Sequence, residues 1–138
     1  MIRRNNSGFS LVELIIVVAI MAILIGVLAP QYVRYVEKSR KAADEDLANT
    51  LLTVGYLMTS DEDIAVLITA GDKITLTATG ITPTEQAGTP VTDSLNEYVP
   101  GWNNKQLISN TYKSKSYVVE FKGGDGTNPF TVDGAWSP

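Results

Sequence analysis

The chain has 138 residues, with 15 acidic side chains against 11 Lys and Arg and neither cysteine nor histidine. That composition excludes a disulfide framework, a thiolate metal centre and any histidine-based general base or zinc site. No Ser precedes a Lys by three residues, so a serine–lysine nucleophile is missing too. A formal charge of −4 argues against a nucleic-acid partner, which calls for a basic face.

The first eight residues read MIRRNNSG, and Arg3 and Arg4 are the only charges before Glu13. From residue 9 to residue 29 only Ser10 and Glu13 are clearly polar. A helix of that stretch would be ~31 Å long, about the thickness of a bilayer core. The two arginines place its N-terminus in the cytoplasm by the positive-inside rule. A cleaved secretory signal is one alternative, because Val27-Leu28-Ala29 has small-residue character, but Pro30 would follow the cut. A plain single-pass anchor is another, and it leaves Glu13 unexplained.

A carboxylate in a membrane span costs on the order of 2.5–3.5 kcal/mol at mid-membrane and less near the end. Such a group calls for a partner. If the chain is cut after Gly8, a new amine appears on Phe9. Positions i and i+4 share a helix face, so that amine lies one turn from Glu13 of the same chain or near that of a neighbour.

The run Gly8-Phe9-Ser10-Leu11-Val12-Glu13-Leu14-Ile15-Ile16-Val17-Val18-Ala19-Ile20, behind a short basic leader, resembles the class III signal of type IV pilins and pseudopilins. The likeness covers about the first 40 residues. It implies cleavage by a prepilin peptidase between Gly8 and Phe9, and methylation of the Phe9 amine. It implies that Glu13 pairs with the Phe9 amine of an adjacent subunit during assembly. Gly26 and Pro30 would bend the helix, as a proline does in many family members. Loss of the leader leaves nine cations against fifteen acids, a side-chain balance of −6.

The implied partners are copies of the chain itself, the peptidase, which is also the methyltransferase, an inner-membrane assembly platform with its ATPase, and membrane lipid before assembly. The implied location is a single-pass membrane precursor, then a surface filament or an envelope-spanning pseudopilus. A major pilin is the first expectation. The alternatives are a major pseudopilin of type II secretion and a minor or competence pseudopilin. Outside the family stand a membrane-anchored binding module and an anchored enzyme; no carboxylate pair stands out for the latter.

After Pro30 the pattern becomes charged but periodic. Val33, Val36, Ala43, Leu47, Leu51, Val54 and Met58 form one helical stripe that includes Arg40. Glu37 and Lys41 form an i,i+4 pair on the outer face. The expected helix spans residues 9–58, ~75 Å at 1.5 Å per residue, more than a head of this size covers. Tyr32 and Tyr35 suit an interfacial belt where it leaves the membrane.

In the head, Ser60 with Asp63 suggests a capping box for a short helix ended by Gly71. The run Asp61-Glu62-Asp63 reads as complementing that helix's dipole rather than as a metal site. KITLTATG alternates as a half-buried strand. Residues 81–91 read as loop and DSLNEYVPG as one or two helical turns. QLISNTY, KSYVVEFK and PFTVDGAW read as three strands, with Tyr117, Val119 and Phe121 on one face. The expected fold is α+β: a long N-terminal helix, half membrane-spanning and half amphipathic, packed on a small antiparallel meander. The expected divisions are a leader (1–8), an assembly helix (9–29), an amphipathic half (30–58) and a head (59–138). Family heads often close on a disulfide. Here packing by Trp102, Phe130 and Trp136 is the expected substitute, and no cofactor is expected. Asp125, Asn128 and Asp133 are weak candidate ligands for a calcium ion of the kind some secretion pseudopilins hold.

Overall fold

The computed structural model describes residues 8–86, 88–123 and 131–137. The chain divides into two compact units, Met1–Val36 and Glu37–Pro138.

The first unit is helical throughout its apolar part. Helix α1 (Leu11–Ser60) begins here and runs through Gly26 and Pro30 as one continuous element. Every described residue from Gly8 to Tyr35 is exposed. The richest 18-residue window has a mean hydropathy of 3.1 and none of it is buried. In a helix each backbone group is satisfied within the segment, so only the side chains need an apolar surrounding.

The second unit packs residues 37–60 of α1 on one antiparallel sheet. Its elements are a short helix α2 (Glu62–Ala65), strands β1 (Lys73–Thr77) and β2 (Gly80–Thr84), helix α3 (Pro90–Tyr98), a 3-10 turn (Trp102–Asn104), and strands β3 (Ser116–Lys122) and β4 (Thr131–Ser137). The strand order is β2-β1-β3-β4, two hairpins joined by antiparallel pairing of β1 with β3. The α+β class expected from sequence is observed, and the four strands include residues 80–84 where QLISNTY was expected. Tyr117, Val119 and Phe121 form the buried face of β3 as their alternation predicts. They meet Leu51, Val54 and Met58 of α1 and Ile74 and Leu76 of β1 in one core. Gly55 lets helix and sheet approach closely: a Cβ there would stand 2.8 Å from Val132 Cγ1 and 3.0 Å from Val119 Cγ1.

Several local expectations change. Residues 80–84 form β2 rather than loop; Pro83 is tolerated because β2 is an edge strand, where a missing N–H interrupts no inner ladder. QLISNTY is not a strand: Leu107 and Ser109 are buried within an irregular segment. α1 continues two residues past Met58. Ser60 does not cap α2; its hydroxyl donates to the Tyr56 carbonyl, and Asp61 caps instead, accepting from the Asp63 and Ile64 amides. Glu37 does not pair with Lys41. Lys41 lies 3.7 Å from Glu45, while Glu37 accepts from the Thr111 amide and hydroxyl. The helical stripe holds from Leu47 to Met58 and fails at Ala43, which is exposed beside a buried Asp44.

Asp44 explains the irregular segment. Its two carboxylate oxygens accept from the Ile108 and Ser109 amides, each at 2.9 Å. A turn further on, Tyr112 donates to Glu45 at 2.7 Å and stacks on Trp136 with ring centroids 4.0 Å apart. The segment that reads as a strand therefore satisfies its backbone on helix carboxylates. Charge-assisted bonds of this kind are roughly twice as strong as neutral ones. Trp136 serves the packing role expected of it; Phe130 lies outside the described residues.

Candidate functional site

The N-terminus of α1 is built from four residues. Ser10 precedes the helix, and Glu13 is its third residue. The Glu13 carboxylate accepts from the Ser10 amide at 2.9 Å, and Leu14 N–H donates to the Ser10 carbonyl at 3.2 Å. This is one half of a capping box: an acidic side chain reaches back to the amide that precedes the helix. The first amides of a helix lack internal acceptors and carry a partial positive charge, so a carboxylate is favoured there. The signal, Ser-x-x-Glu before an apolar run, stands in the sequence, where Glu13 was expected to pair with the Phe9 amine of its own chain or of a neighbour rather than to cap the helix.

Gly8 and Phe9 precede the helix without regular secondary structure. A Cβ built on Gly8 would meet nothing within 4 Å, and Phe9 is 87 % exposed. The bond between them is therefore sterically accessible to a peptidase. The nitrogen that cleavage would free sits next to Ser10, whose amide already engages Glu13. Phe9, Ser10 and Glu13 thus converge on a single helix end.

Of the other candidate site only Asp133 lies within the described residues. Asp133 lies on β4, exposed, with its carboxylate 3.2 Å from Lys122 Nζ. Lys122 is held above the ordinary lysine range, chiefly by that hydrogen bond and by the charges of Asp133 and Glu120. Asp133 is thus engaged with a cation, while Asp125 and Asn128 lie outside the described residues. Among the described residues no group of three metal-ligating side chains comes together. Asp61 spends its carboxylate on capping α2, in keeping with the dipole reading of the Asp61-Glu62-Asp63 run.

Residues 3–29 match the family model described as the prokaryotic N-terminal methylation motif. The match covers the leader, the Gly8–Phe9 junction, Glu13 and the apolar half of α1. It supports reading the N-terminal segment as a class III signal of the kind that type IV pilins and pseudopilins carry. No solved structure matches the chain.

Proposed function

We propose that the chain is the structural subunit of a type IV pilus-like filament, and specifically a major pilin. In this reading the precursor sits in the membrane with Arg3 and Arg4 on the cytoplasmic side. A prepilin peptidase cuts between Gly8 and Phe9 and methylates the new amine. An assembly platform and its ATPase then draw the subunit into a polymer, and the finished filament lies outside the membrane. The work is assembly, not turnover.

The observation that carries the reading is the helix end. Glu13 already reaches the amide beside Phe9. Cleavage would place an ammonium group within one turn of that carboxylate. Inside a bundle of apolar helices the unpaired charge of either group is costly, so the pair selects one axial register between chains. Gly26 and Pro30 supply the bend that lets the helix settle among its neighbours: proline removes one hydrogen bond and clashes one turn back, and Gly26 lies on that turn.

The deciding experiment is the N-terminal mass of the protein from the native cell envelope and from sheared surface material. A mature chain beginning at methylated Phe9, abundant in the sheared fraction, is the expected result. The same mature chain confined to the envelope would point to a pseudopilin. A chain that keeps its leader and stays in the membrane would overturn the reading.

A further inference from the structure

Charge is sorted along α1. Between Pro30 and Lys41 stand Arg34, Glu37, Lys38, Arg40 and Lys41, four cations against one acid, a net of +3. The next cation in the chain is Lys73, and the seven charged residues between Lys41 and Lys73 are all acidic. Four of the nine cations that outlast loss of the leader therefore fall within eight consecutive positions just beyond the apolar run. All four are exposed. Lys41 lies 3.7 Å from Glu45; among the described residues Arg34, Lys38 and Arg40 enter no ion pair. Glu37, the one acid of the group, is turned to the folded unit, where it accepts from the Thr111 amide and hydroxyl.

Position and arrangement point to one partner. Tyr32 and Tyr35 are 68 % and 73 % exposed beside these cations, as aromatic residues are at a membrane–water interface. Arg40 is five residues past Tyr35, ~7.5 Å along the helix, and the headgroup layer on each side of a bilayer is about 5–7 Å deep. Helical side chains lean toward the N-terminus, so the Lys and Arg stems reach back toward the apolar run. Lys38 and Lys41 share one face, while Arg40 lies ~160° round the helix from Lys38. A protein docked on one side meets one of these faces. A layer of headgroups surrounds the helix and meets both.

We infer that residues 34–41 form a cationic collar that binds anionic phospholipid headgroups and holds the processed subunit at the membrane surface before assembly. The inference rests on the membrane-inserted stage of the filament reading and names the lipid class selected there. Cleavage before Phe9 takes away Arg3 and Arg4, so in the mature chain the collar holds every cationic side chain near the apolar run in sequence. The acids from Asp44 onward stand farther along the chain. Cations nearest an anionic surface with acids behind them fix which end of the folded unit faces the lipid.

The test uses the full-length chain in phosphatidylcholine vesicles carrying a trace of spin-labelled lipid. The share of label immobilised beside the protein is compared for phosphatidylglycerol and phosphatidylcholine. Phosphatidylglycerol should be preferred about fivefold in about 0.1 M salt, and nearly equally with phosphatidylcholine in about 1 M salt, where the Debye length is ~3 Å. R34Q/K38Q/R40Q should lose the preference at low salt. R34K/K38R/R40K should keep it, and so should R3Q/R4Q.

An inserted, unmodified chain with no preference for phosphatidylglycerol overturns the collar and leaves the filament reading standing. A preference that vanishes in R3Q/R4Q belongs to the leader and overturns it too. A preference that survives R34Q/K38Q/R40Q while that variant yields no sheared filament assigns the cations to an acidic surface of another copy, and again overturns the lipid contact. A chain that alkaline carbonate washes off the vesicles overturns the membrane stage of the filament reading, and the collar with it.

Discussion

The apolar half of α1 and the folded unit treat their side chains in opposite ways. Past its first turn, the stretch up to residue 29 satisfies its amides inside one helix and leaves a continuous apolar surface exposed. Residues 37–60 belong to the same helix, yet they bury Leu51, Val54 and Met58 completely or nearly so against the sheet. Among the described residues nothing in the chain covers the first stretch; the second is packed within one chain. Polar groups follow the same division. Glu13 answers to its own helix end and, in the filament reading, to a neighbour. Asp44 and Glu85 answer to amides that the fold itself brings to them.

That contrast predicts which changes disturb assembly and which disturb folding. Glu13→Ala should give the largest effect and leave the folded unit untouched. In the filament reading it would strand the Phe9 ammonium without a carboxylate among apolar helices, a loss of about 3–5 kcal/mol when a buried pair is broken. Sheared filament should fall by on the order of 100-fold or more, with insertion and the mature N-terminal mass unchanged. Filaments at the ordinary yield would show that the charge has no partner in the polymer.

Asp44→Ala should do the reverse. It leaves the Ile108 and Ser109 amides without acceptors and should cost about 2–4 kcal/mol in denaturant unfolding of the full chain in detergent micelles. Cleavage before Phe9 should proceed as before. Gly55→Ala pushes a methyl group against Val119 and Val132 and should cost about 1–3 kcal/mol in the same measurement. Glu85 caps α3 from outside the helix, accepting from the Val91 and Thr92 amides at 2.7 and 2.9 Å. Its change to Ala should cost about 1 kcal/mol, the usual value of a cap.

The smallest effect is a titration. Tyr112 is raised above the ordinary phenol range, first by its hydrogen bond to Glu45 and then by burial; Tyr117 is raised first by burial. Groups whose folded pKa is raised add stability that is fully present below pH ~10 and is lost as pH climbs through the folded values. Ultraviolet difference titration should show two late tyrosines, and Tyr112→Phe should remove one of them. No change in the late phase would mean that the Glu45 bond does not persist in solution.

Sequence reading succeeded where the controlling forces are local. The N-terminal methylation motif and the apolar helix are legible because a signal and a run of apolar residues are linear objects. The Tyr117-Val119-Phe121 face is legible because a strand with one buried side must alternate. The capping role of Glu13 was also local, and Ser10 at the right spacing signalled it.

The misreadings share a different cause. β2 carries Thr82, Pro83 and Thr84 and so reads as loop; only its place at the sheet edge, paired with β1, makes a strand of it. Residues 106–112 read as a strand because their composition suits one. The Thr111 amide is instead claimed by Glu37, 74 residues away, and the Ile108 and Ser109 amides by Asp44, 64 and 65 residues away. Asp44 itself reads as an ordinary charged helix residue, and nothing in its neighbourhood reveals that it is 1 % exposed.

By itself, then, the sequence determined the processing signal, the long helix and the α+β class, because each follows from composition, periodicity or adjacent residues. Tertiary structure alone decided the strand order, the burial of Asp44 and the carboxylate grip on the 108–112 segment. Those depend on which distant groups the chain brings within hydrogen-bonding or packing distance, and no local pattern encodes that distance.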